Sequence, residues 1–136
     1  MKFDTKIAVV VREDLQTWQK LNITAFTVSG IAGTVEGIIG EPYEDGSGNR
    51  YLPMFRQPVL VFHASAEQMQ TVYQRALNRQ VRFSIFTEDL FQTNNDDDNR
   101  AMVRARQQEE LVVVGIALWA EKKNVDKVLS GLKLHS

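Results

Sequence analysis

The chain has 136 residues, 43% of them apolar and 24% charged, as expected for a single globular domain able to bury its own core without metal or disulfide. Cys is absent, which excludes disulfides, thiolate metal ligands and Cys nucleophiles and favours a reducing, cytoplasmic setting. Sixteen Lys plus Arg stand against seventeen Asp plus Glu, with a pI near 6.1. That balance argues against nucleic acid as the main partner, because such domains neutralise several phosphates and usually have a pI above about 9.

Asp4 and Lys6 fall where a leader peptide would need its apolar centre, and no apolar run reaches the roughly 18 residues of a membrane span. The run Ile7-Ala8-Val9-Val10-Val11 reads as a buried strand. It stops at Arg12-Glu13-Asp14, and a helix follows with Asp14 or Thr17 as its cap. Trp18, Leu21, Ala25 and Val28 recur at helical spacing, while Ile23, Phe26 and Ile31 lie on other faces. A helix apolar on so many sides is expected to be buried on more than one of them, or to meet a second subunit. Gly30 and Gly33 loosen its end, and Gly37 and Gly40 carry the chain into a loop. Residues 40–58 hold the turn chemistry of Asp45-Gly46 and Ser47-Gly48-Asn49, flanked by Tyr43 and Tyr51, and predict a short hairpin.

Pro58 opens a second buried run, Val59-Leu60-Val61-Phe62. Ser65 and Gln68 form a capping box for a helix whose stripe is Met69, Val72, Tyr73, Ala76 and Leu77. Val81 to Phe86 reads as a third strand with Val81, Phe83 and Ile85 on one face. The acidic run Asn94 to Asn99 is expected to precede a surface helix starting near Asn99 or Arg100, where negative charge suits the helix dipole. Leu111 to Ala120 is the longest apolar run and reads as an inner strand. Asn124 is the expected cap of a last helix, Val125 to Ser130, ended by Gly131. Repeated alternation of strand and helix implies one α/β domain spanning residues 1–136, three layers deep, with a four-stranded mixed sheet.

Phosphate-binding, nucleophile-elbow, zinc-protease and dinucleotide signatures are all missing. The acidic run lacks the central Gly and terminal Glu of a calcium loop, so no metal or cofactor is expected. Ligands of open α/β sheets collect at the carboxyl ends of strands. Here those ends are Arg12-Glu13-Asp14, His63, and Thr87-Glu88-Asp89. His63 is a possible general base with no evident partner, and His135 lies in a frayed terminus. Lys20 opposes the dipole at the start of its helix, so it should pair with Glu13, Asp14 or Asp89, or be held for an anionic ligand.

Three segments carry a resemblance: KIAVVVREDLQTWQK, VLVFHASAEQMQTVYQRALNRQVRFSIFTED and VVVGIALWAEKKNVDKVLSGLKL. In order and pattern they resemble the peptidyl-tRNA hydrolase II fold. With YEDGSGNRYLPMFRQP and NNDDDNRA added, the chain is similar to an uncharacterised bacterial domain-of-unknown-function family sharing that fold. The resemblance implies a catalytic trio of Lys20, Asp89 and Thr93, in which a cation and a carboxylate orient a hydroxyl or water against an ester or amide carbonyl. The family's glycine and arginine between the last two are here Leu90, Phe91 and Gln92. Its lysine-rich run before the first helix is Gln16-Thr17-Trp18-Gln19, and its glutamine and histidine in that helix are Thr24 and Thr27.

Two readings follow. In the first, the chain is a ligand-binding or structural module that kept the hydrolase fold without its full motif. It takes a small polar or anionic ligand, with Arg12, Thr24, His63, Asn99 and Arg100 as further binding candidates, and forms a homo-oligomer, a dimer, through spare apolar surface on the first helix. In the second, it is an ester or amide hydrolase working through Lys20, Asp89 and Thr93.

Overall fold

The computed structural model describes residues 2–136. The chain runs β1 (Thr5–Arg12), α1 (Thr17–Thr34), β2 (Tyr43–Glu44), β3 (Arg50–Tyr51), β4 (Val59–Ala64), α2 (Ala66–Arg79), β5 (Arg82–Thr87), α3 (Asp96–Arg104), β6 (Val113–Glu121), α4 (Lys122–Val128) and β7 (Lys133–Leu134). A 3-10 segment, Glu88–Gln92, links β5 to α3. The main sheet is mixed, with the order β5-β6-β1-β4-β7. It therefore has five strands, not the expected four. The additional one is β7, whose two residues pair antiparallel with Phe62 and His63 and are too few to show a strand period in sequence.

The β-branched run of β1 lies at the centre because it can be buried on both faces. It pairs in parallel with β4 and antiparallel with β6, and Ile7 to Val11 are all buried. Alternation divides its side chains between two cores. Ala8 and Val10 join Met69, Val72, Tyr73 and Ala76 of α2 and Val125 and Val128 of α4. Ile7, Val9 and Val11 join Ile23 and Ile31 of α1 on the other face. Helices thus cover both faces of the sheet.

Several local readings are corrected. Helix α1 buries Ile23, Thr27 and Ile31, while Trp18 and Leu21 face solvent; the stripe expected from Trp18, Leu21, Ala25 and Val28 is not the one the sheet uses. The deciding contact is Gly115 on β6, where a Cβ would stand only 2.2 Å from Ile23 Cγ2. That missing side chain lets α1 approach along the Ile23 face. The cap of α1 is Gln16, in a reciprocal box with Gln19. Helix α3 begins at Asp96 behind Asn95, so the three aspartates form its first turn instead of preceding it. Helix α4 begins at Lys122 after Glu121, two residues before Asn124. The Ser65–Gln68 capping box and the hairpin of β2 and β3 are present as expected. No helix among the described residues is long and apolar enough to cross a membrane.

Candidate functional site

Parallel pairing brings the carboxyl ends of β1 and β4 side by side, with the Glu13 N–H donating to the Ala64 carbonyl at 2.8 Å. His63 Nδ1 lies 3.0 Å from Glu13 Oε2, and since a carboxylate only accepts, Nδ1 carries the proton. On the far side β7 delivers His135, whose N–H donates to the Val61 carbonyl at 2.8 Å. Its ring meets that of His63 edge to face, with centroids 5.5 Å apart. Lys20 Nζ donates to His135 Nε2 at 3.3 Å, and His135 Nδ1 lies 3.0 Å from the Ser136 carbonyl. Both contacts are satisfied by one neutral tautomer, protonated at Nδ1. Arg12 Nε donates to Asp14 at 2.7 Å and holds that carboxyl below its ordinary range, with Lys20 adding a smaller pull.

Lys20 therefore has His135 as its partner and makes no ion pair among the described residues. His63, for which the sequence offered no partner, has two neighbours, Glu13 and His135. The latter is an ordered member of the corner and not a frayed end. Thr24 turns its hydroxyl back to the Lys20 carbonyl at 2.8 Å.

Asp89 and Thr93 have other partners. Asp89 takes two bonds from Arg106, Nε at 2.6 Å and Nη2 at 3.2 Å, and the guanidinium holds its carboxyl below the usual range. The Thr93 hydroxyl bonds Asn99 Oδ1 and sits 3.1 Å from the Leu90 carbonyl. Lys20, Asp89 and Thr93 are thus each engaged by a different side chain and not by one another. The grouping the structure does make is Thr93 with Asn99 and Arg100.

Those three line a cleft between α1, β5, the 3-10 segment and α3. It consists of a cavity of about 530 Å³ and a neighbour of about 240 Å³ that share Phe26, Phe86, Leu90, Asp96 and Asn99. Phe26, Ile85, Phe86, Leu90 and Val103 give it apolar walls; Asn22, Thr93, Asp96, Asn99, Arg100 and Arg104 give it a polar rim. Arg100 is paired with Asp96 and Asp97 of its own helix. Arg104 has no ion pair among the described residues.

The family model described as "Protein of unknown function (DUF2000)" matches residues 5–136. The chain belongs to the DUF2000 family. A solved structure of a protein of unknown function from Agrobacterium tumefaciens strain C58 is similar to this DUF2000 chain at 46% identity, with a TM-score of 0.96 and coverage of 99% of this chain and 100% of that one. No curated protein matches the sequence. The function of the family is unknown, and so is that of the solved protein.

Two features of this DUF2000 chain escaped the sequence reading. The Glu13–His63–His135–Lys20 chain of contacts depends on β7, and its one signal was the apolar pair Leu132 and Leu134 around Lys133. The cleft depends on Phe26, Ser84 and Leu90, which come from three elements and carry no local pattern. Among the described residues no group of three or more His, Cys, Asp or Glu is placed to hold a metal ion.

Proposed function

We propose that this DUF2000 protein is a small-molecule binding module built on a peptidyl-tRNA hydrolase II-like scaffold. Its ligand carries an apolar body and an anionic group. The observation behind this reading is the cleft itself: apolar walls meet a rim of Thr93, Asn99, Arg100 and Arg104, with volume enough for a small organic acid. Ligand sites are commonly concave and mostly apolar, with a few polar groups that fix orientation. Arg104 supplies unmatched positive charge, and Asn99 supplies an amide already oriented by Thr93.

The hydrolase reading draws less support. Both carboxylate oxygens of Asp89 are engaged by Arg106, and Lys20 and Asp89 are not among the residues of the cleft. Thermal shift with a panel of straight-chain and aromatic carboxylates, followed by chemical-shift mapping, tests the binding reading. The expected outcome is a rise in Tm and shifts at Phe26, Leu90, Asn99 and Val103, with affinity reduced about tenfold in Arg104→Gln, the scale of losing one charge-assisted hydrogen bond. A panel that moves neither Tm nor those resonances overturns it.

The same reading includes self-association. Trp18 and Leu21 on α1 are 56% and 66% exposed, a large apolar surface for a monomer to leave in water. Sedimentation should find a species heavier than the 15.5 kDa chain, and a monomer at high concentration removes the dimer.

A further inference from the structure

Strand β5 is an edge of the sheet, with β6 as its one hydrogen-bonded neighbour. Long edges invite pairing with other chains, and proteins blunt them with short strands, Lys, Pro or a covering element. The opposite edge follows that rule, since β7 has two residues and one is Lys133. By contrast β5 has six, RFSIFT, with neither Lys nor Pro. Its backbone makes no hydrogen bond on the free side among the described residues.

A second cavity of about 530 Å³ extends the cleft along this strand. Every residue from Val81 to Phe86 lines one or other of the two. Successive strand side chains point to opposite faces. Indeed Val81, Phe83 and Ile85 pack in the α2 core, whereas Ser84 bonds the Thr27 carbonyl and Phe86 packs in the α1 core. The two cavities are lined by residues of both sets, which fits a groove running along the free edge. Ser29 and Gly30 of α1 line one side, and Val103 and Arg104 of α3 line the other.

We propose that the occupant of this groove is an extended peptide segment ending in a carboxylate, which adds to β5 as a further strand and places its terminal charge at Arg104. This rests on the reading of the cleft as a binding site and names the ligand class. The unpaired amides and carbonyls of β5 match a peptide backbone, whose side chains supply the apolar body, and strand addition of this kind draws affinity from the backbone and specificity from alternate side chains.

The test selects C-terminally displayed random heptapeptides on the folded protein and resynthesises those enriched. Binding is expected to slow amide exchange within Val81–Phe86, and N-methylation of alternate peptide amides should weaken it about tenfold or more in one register and little in the other, as strand pairing requires. Amidating the peptide carboxylate should weaken wild type but not Arg104→Gln. Ser29→Trp, a bulky change at an exposed position lining the cleft, should abolish capture with the fold intact by circular dichroism. The inference is overturned if no peptide is enriched, if both methylation registers bind equally, or if protection falls outside β5. Should small carboxylates bind the cleft and peptides not, the binding-module reading stands and the peptide does not. If neither binds, both fall.

Discussion

At residue 115 even one added methyl group has nowhere to go. Its carbon would stand 2.2 Å from Cγ2 of Ile23, a fully buried side chain, and lie 3.4 Å from two more atoms of the same residue. Gly115→Ala must therefore push α1 off the sheet, and such overpacking costs about 1–3 kcal/mol; urea unfolding should show that loss with an unchanged m-value. Asp45 offers a gentler prediction. Its carboxylate accepts bonds from the side chain of Asn49, the Tyr51 hydroxyl and the backbone of Asn49 and Ser47, and these lower its pKa to about 2. Because the folded value lies below the unfolded one near 3.9, the contribution is fully present above pH ~4 and is lost as pH falls through about 2. Carbon-detected titration of Asp45 should give that low midpoint, and Asp45→Asn should loosen the hairpin at neutral pH. The hairpin was legible from Asp45-Gly46 and Ser47-Gly48 because turn chemistry is local. Gly115 was visible only as a break in an apolar run, since the reason for it sits on another element.

Elements were legible to the extent that their pattern had one reading. Strands β1 and β6 carry β-branched runs that little else can use, and α2 has one apolar stripe. Helix α1 is apolar nearly all round, so periodicity offered several faces and packing selected Ile23, Thr27 and Ile31. The contrast is measurable. Ile23→Ala should cost about 2–5 kcal/mol as a buried large-to-small change. Leu21→Gln, on the face the sequence favoured, should stay within about 0.5 kcal/mol in a monomer. At α2, Ser65→Ala removes the oxygen that accepts from the Gln68 N–H and should cost about 1 kcal/mol. Helix α3 was displaced by three or four residues because Asp96, Asp97 and Asp98 suit either the turn before a helix or its first turn.

For the molecule as a whole, the candidate site was legible residue by residue but not as an arrangement. Thr93, Asn99 and Arg100 were each singled out, yet their meeting with Phe26 and Leu90 depends on how α1 and α3 flank β5. Lys20 was noticed for its charge, and its partner His135 lies at the far end of the chain. The charge network has an acid-side signature. Asp14, Asp45 and Asp89 all have lowered carboxyl pKa values, through Arg12, Asn49 and Arg106 respectively. Each contributes stability above the unfolded value and loses it as pH falls through the folded one. Stability should therefore fall steadily below pH ~4, the unfolded range of Asp, and Asp89→Asn should flatten that slope while leaving the neutral-pH fold intact. A slope unchanged in Asp89→Asn would show that the Arg106 pair is not coupled to folding.

The position of β1 sets the order in which the protein can be made. It is synthesised first among the strands, yet it sits at the centre, waiting for β4 on one side and for β6 on the other. Until Val113–Glu121 has left the ribosome, an unbroken apolar strand has one edge without a partner. Such long-range pairing slows folding and leaves aggregation-prone surface exposed meanwhile. Nascent chains halted before Val113 should engage chaperones, and those extended past β6 should let go.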